Sequence, residues 1–130
     1  MKTIRITIER ASDGTYGAYS DEVDGIYGMG ESVHEVKQDL LNGIETVRIL
    51  ETCPAILKDE YQLVYKFDTE SLLNYYKGIL SNPAIEKITG INQKQIHHYA
   101  SGLKKPRPAQ KKKIEEGLHR LGRELLSIEL

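Results

Sequence analysis

Apolar and polar residues alternate over residues 3–10. Ile4, Ile6 and Ile8 fall on one side, and Arg5, Thr7 and Glu9 on the other. A period of two marks a half-buried strand. Ser12-Asp13-Gly14 is turn chemistry, and residues 15–19 form a second strand, giving a hairpin. Residues 20–25 make an acidic loop, and residues 26–28 a short third strand. The period then lengthens. Val33, Val36, Leu40, Ile44 and Val47 recur at helical spacing, and Ser32 with Glu35 has the form of a capping box. A helix is therefore predicted to run to about Leu50, with Pro54 in the loop after it. Residues 61–67 alternate again, with Tyr61, Leu63, Tyr65 and Phe67 on one face. The order β-β-β-α-β predicts a small sheet with a helix packed on one side.

The remainder reads as all-α, with at least four helices. Asp68 can cap the first, whose inward face is Leu72, Leu73, Tyr76 and Leu80. Asn82-Pro83 opens the second, because proline fits a first helical turn. That helix ends before Gly90, and a short third helix stops at Ser101-Gly102. Residues 103–108 form a loop with two prolines and three cations. The last helix carries Ile114, Leu118, Leu121, Leu125 and Ile128 on one stripe, which suits a core or a dimer seam. The whole chain is thus expected to be α+β, an N-terminal domain over residues 1–66 followed by an all-α domain over residues 67–130.

Residues 89–99 carry the densest local signal. Gly90 sits where the chain must reverse, and Ile91 would tuck the turn into the core. Asn92 is a good N-cap, and Gln95 three residues on can complete a capping box. Ile96 and Tyr99 would face the preceding helix, leaving Gln93, Lys94, His97 and His98 pointing outward. This reads as the turn and recognition helix of a helix-turn-helix. Amides, a cation and imidazoles at the exposed start of a short helix suit base edges and phosphates in a major groove. The bland alternative is an ordinary capped surface helix.

Charge placement favours the DNA reading. The chain is formally −1 overall, but residues 1–66 hold seven Lys/Arg and twelve Asp/Glu, a net of −5, and residues 67–130 hold eleven and seven, a net of +4. From Lys87 to Lys113 there are eight basic residues and no acidic one. A basic zone around a helix-turn-helix is the electrostatic footprint of phosphate contact. A solvated lysine face would account for Lys111, Lys112 and Lys113, but not for the cations that bracket the turn. The candidate DNA-binding residues are Gln93, Lys94, Gln95 and His98 on the helix, with Lys104, Lys105 and Arg107 in the following loop.

The rest of the composition narrows the field. The single Cys53 excludes an internal disulfide and a cysteine metal site. There is no signal peptide and no apolar run long enough for a membrane, so a cytoplasmic protein without membrane contact is expected. Halves of about 65 residues have thin cores, which favours a homodimer or higher oligomer. Asp21, Glu22 and Asp24 crowd one loop instead of converging from different strands as two-metal nucleases require, so a solvated or partner-facing loop is the better reading. The adjacent His97 and His98 lack the i, i+4 spacing of a zinc-binding helix. No metal, no cofactor and no enzymatic activity are expected.

Two resemblances bring these readings together. Residues 15–45 resemble the N-terminal domain of HicB antitoxins of bacterial type II toxin–antitoxin systems. That family has an aromatic-small-aromatic strand, a proline-aspartate loop ending in glycine, and a glycine-acid-Ser/Thr helix start. Here these are Tyr16-Gly17-Ala18-Tyr19, residues 20–25 and Gly30-Glu31-Ser32, followed by Val33 and Val36. Ser20 and Asp24 stand where the family has prolines. Residues 82–108 are similar to a Cro-type helix-turn-helix at Ile85, Thr89, Gly90, Ile91, Ile96, Tyr99, Gly102 and Pro106. Four residues before Gly90 that family prefers alanine at a close helix crossing, and this chain has Glu86.

The resemblance implies a partial RNase H-like first domain without nuclease activity. It would bind a small HicA-type toxin, an mRNA-cleaving protein. It also implies a second domain that binds double-stranded operator DNA and represses the shared operon. The acidic balance of residues 1–66 agrees, since an RNA-binding toxin should carry a basic face. The alternative function keeps the helix-turn-helix and makes the first domain a ligand sensor.

Overall fold

The computed structural model describes residues 1–130. The fold is mixed α+β, with one four-stranded sheet and six helices. The chain divides into two compact units, Met1–Asp68 and Thr69–Leu130. Counted over these bounds, the first holds seven basic and thirteen acidic residues and the second eleven and six.

The first unit is built on strands β1 (Lys2–Arg10), β2 (Tyr16–Tyr19), β3 (Tyr27–Gly30) and β4 (Tyr61–Phe67), in the sheet order β3-β2-β1-β4. β1 pairs antiparallel with β2 and parallel with β4, and β2 pairs antiparallel with β3. Register places Ile8 beside Ala18 and Ile4 beside Leu63, so one face of the sheet is continuous and apolar. Helix α1 (Val33–Arg48) buries Val33, Val36, Leu40 and Ile44 in the same core as Ile4, Ile6 and Ile8. The close contact of β3 with α1 depends on small residues. A Cβ on Gly28 would lie 2.7 Å from the Val36 carbonyl oxygen. The glycines of the Tyr27-Gly28-Met29-Gly30 strand therefore serve packing.

Four local details differ from what the sequence pattern predicts. The third strand is Tyr27–Gly30, not residues 26–28, and Ile26 is instead a buried anchor of the preceding loop. α1 stops at Arg48, short of Leu50. A short helix α2 (Ala55–Lys58) follows Pro54 where a plain loop was expected, and it places Leu57 in the core. The capping box is also shifted by one donor. Ser32 Oγ accepts from the Glu35 N–H at 3.1 Å, while Glu35 Oε2 accepts from the Glu31 N–H at 2.8 Å rather than from Ser32.

The second unit contains α3 (Thr69–Tyr75), α4 (Asn82–Thr89), α5 (Gln93–Ala100) and α6 (Pro108–Leu126). Leu73, Ile85, Ile91, Ile96, Tyr99 and Ile114 form its core. α4 starts at Asn82-Pro83 as expected, with Pro83 in its first turn, and Ser81 is the cap, its Oγ accepting from the Ala84 N–H. α6 lies close against α4 at Gly117, where a Cβ would meet the Ile88 carbonyl oxygen at 2.6 Å. Arg120 donates a hydrogen bond to that same carbonyl. The stripe on α6 is core only in part. Ile114 is buried and Leu118 and Leu121 are half-buried, but Leu125 and Ile128 are exposed and Leu126 is 88 % exposed. No helix is long and apolar enough to cross a membrane.

Candidate nucleic-acid interface

The candidate surface lies around the turn between α4 and α5. Gly90 ends α4 in the left-handed region, at φ 77°, which a residue with a Cβ adopts only at a cost. Its N–H donates to the Glu86 carbonyl at 2.8 Å. Thr89 Oγ1 donates to the Ile85 carbonyl and accepts from the Ile91 N–H, which holds Ile91 in the core. Asn92 caps α5 as its sequence suggests, with its Oδ1 accepting from the Lys94 N–H at 2.8 Å. The Gln93 N–H is taken by a residue of the other helix. It donates to Glu86 Oε2 at 2.7 Å.

Ile96 and Tyr99 are fully enclosed, so the opposite side of α5 is turned out. Gln93, Lys94 and His97 are exposed on it. They share an open cleft of about 420 Å³ with His98, Asn92, and Asn82 and Glu86 of α4. The cleft offers amides, one ammonium, one carboxylate and two imidazoles, a set that can both donate to and accept from a polar edge. His98 is only half-buried there, and its Nδ1 is enclosed without a hydrogen-bond partner. Its ring is therefore held partly by packing, which makes His97 the freer imidazole of the two.

Gln95 is placed differently from the other candidates. It is half-buried, and its Nε2 donates to the Tyr99 hydroxyl at 2.9 Å, one turn along the helix. Gln95 therefore does not close the expected capping box, and the side-chain acceptor at the first amide of α5 comes from Glu86 of α4, which no local pattern on α5 could have indicated. Lys104, Lys105 and Arg107 are exposed in the connection to α6, and Arg107 is the N-cap residue of α6 without a side-chain capping bond. The Lys104 N–H donates to the His98 carbonyl, which ties this loop to the end of α5. Lys111, Lys112 and Lys113 are exposed on the first turns of α6, where Lys112 lies 4.0 Å from Glu116.

The first unit presents a second, chemically different surface. Ser20 is nearly buried, and its Oγ accepts from the N–H groups of Glu22 and Val23. This local turn pins Val23 inside the core. Glu22 Oε1 accepts from the Arg5 N–H at 3.4 Å, beyond the end of the β1–β2 pairing, while Asp21 and Asp24 stay exposed. Nowhere do three or more His, Cys, Asp or Glu side chains converge as a metal ion needs.

The sheet face away from α1 carries Tyr19, Tyr27 and Met29 beside Thr7, Arg5 and Glu9. Tyr27 and Met29 are 67 % and 66 % exposed. The Tyr19 hydroxyl donates to Glu9 at 3.0 Å, and that bond raises its pKa above the usual tyrosine value. On the covered face, Lys37 lies 4.4 Å from the Tyr65 ring centre and 5.5 Å from that of Phe67, and burial lowers its pKa. Comparison with protein-family models, with curated proteins and with solved structures yields no match to this chain.

Proposed function

We propose that this chain is a HicB-type antitoxin: a repressor that binds operator DNA through its second unit and neutralises a small basic HicA-type toxin through its first. In this reading α4 and α5 form the helix-turn-helix, with α5 as the recognition helix. The first unit is the partial RNase H-like domain, without nuclease activity. The observation that carries the proposal is the sidedness of α5. Ile96 and Tyr99 are buried, and Gln93, Lys94 and His97 face solvent inside a stretch that holds eight cations and no acid. A glutamine can pair bidentately with adenine, and a lysine can reach guanine. The exposed loop cations Lys104, Lys105 and Arg107 suit phosphates.

The toxin-binding half of the proposal rests on the resemblance at residues 15–45. Charge supports it, since the first unit carries nearly twice as many acidic as basic residues. Exposed Tyr27 and Met29 also suit a protein interface, where aromatic residues and methionine are enriched. A homodimer or higher oligomer follows from the palindromic logic of helix-turn-helix binding, in which two recognition helices meet half-sites about 34–36 Å apart.

The test has two arms on the full chain. The purified protein is offered a pool of random-sequence duplexes, and it is co-expressed with any short basic protein encoded beside it. Selection of a preferred duplex and rescue of growth from the neighbour's toxicity are the expected results. Failure to prefer any duplex sinks the repressor reading. A preferred duplex without rescue by the chain sinks the antitoxin reading and leaves a plain regulator.

A further inference from the structure

We infer that Glu86 is a positioning residue for sequence reading: it fixes the start of α5, and so the direction in which Gln93 and Lys94 project. This rests on the DNA-binding reading above and adds a residue that reading does not contain. Glu86 holds both ends of the turn. Its carbonyl accepts from the Gly90 N–H at 2.8 Å and closes α4, and its carboxylate accepts from the Gln93 N–H at 2.7 Å and opens α5. The second bond spans seven residues and joins two helices, so it fixes their mutual angle as well as capping one of them. Asn92 satisfies only the next amide, that of Lys94. Without Glu86, the first amide of α5 loses its side-chain acceptor.

The chemistry of the position explains why a carboxylate serves there. The N-terminus of a helix carries partial positive charge, so an anion beside it is stabilised. Where an alanine would let the two helices touch, the longer side chain spans the gap and replaces packing by a charge-assisted hydrogen bond. That choice has a consequence for binding. Glu86 lines the same cleft as Lys94, His97 and His98. Its negative charge opposes phosphate there, so it weakens indiscriminate binding while orienting the residues that discriminate.

The two effects separate by substitution. Glu86→Ala removes both the bond and the charge, and Glu86→Gln removes the charge but keeps an acceptor oxygen. Both full-length variants are titrated against a duplex selected by the wild-type chain from a random pool, and against a scrambled duplex. Amide exchange at Gln93 is followed on the free proteins. Glu86→Ala is expected to bind the selected duplex about tenfold more weakly and the scrambled one no more weakly than wild type. Glu86→Gln should hold the selected duplex within about threefold and bind the scrambled one more tightly. Gln93 exchange should quicken about tenfold in Glu86→Ala and clearly less in Glu86→Gln.

Unchanged Gln93 exchange in Glu86→Ala overturns the inference, and so does equal loss of discrimination in both variants. If wild type selects no duplex, the DNA-binding reading fails, and with it this role for Glu86. The exchange data would then report a helix cap alone, which keeps the two failures apart.

Discussion

The two units solve the same problem with different amounts of core. The first closes twelve buried residues between a sheet and a helix, and the second gathers six among four helices. The larger core rests on regular alternation, so each strand residue has one face assigned by register. The smaller core depends on individual contacts: Gly117 against the Ile88 carbonyl, Glu86 against the Gln93 amide, and Thr89 against both Ile85 and Ile91. A sheet unit should therefore fail by losing buried volume. A thin helical unit should fail by losing a specific contact, and the surface around α5 should move when such a contact moves.

The largest expected effect tests the first half of that contrast. Ile6 is fully enclosed at the centre of β1, and Ile6→Ala should destabilise the first unit by about 2–5 kcal/mol in a denaturant titration, since the sheet cannot collapse into the space left. DNA binding, measured below the unfolding transition, should not change. A matching loss of DNA affinity would show that the second unit depends on the first.

Gly117→Ala tests the other half. The added methyl has no room against the Ile88 carbonyl, and a cost of about 1–3 kcal/mol is expected in thermal melts. Gly122 lies on the same helix with nothing within 4 Å of a Cβ, so Gly122→Ala should stabilise it by about 0.5–1 kcal/mol through helix propensity. Equal effects of the two changes would mean that the α4–α6 approach is not what holds this core.

Binding predictions follow at similar and then smaller size. Gln93→Ala should cost about 1–3 kcal/mol on a selected duplex and little on random DNA. Lys105→Ala should weaken both alike and lower the salt slope by about one unit. Titrations of both variants at several salt concentrations decide this. A Gln93→Ala loss that is equal on both duplexes would place α5 outside the groove.

Much of the architecture was legible in the chain because it depends on short-range periodicity. Ile4, Ile6 and Ile8 announced β1, residues 61–67 announced β4, and the spacing from Val33 to Ile44 announced α1. Asn92 announced the start of α5, since an asparagine side chain reaches its own helix amides. Local chemistry of this kind is read from neighbours in sequence, and the sequence by itself determined it.

Other features depended on partners distant in sequence or on burial that no period encodes. Leu57 reaches the core through a single turn of helix, too short to show a helical period. Ser20 holds its loop by hydrogen bonding, which becomes visible only once its hydroxyl has amides to meet. The stripe on α6 continues past the point where neighbouring helices cover it, so Leu125 and Ile128 share the spacing of core residues and lie in solvent. Glu86 is the sharpest case. By sequence it was a departure from a helix crossing that prefers alanine. In the folded chain it is the acceptor that starts the next helix, because only tertiary structure brings a carboxylate on α4 within 2.7 Å of an amide on α5.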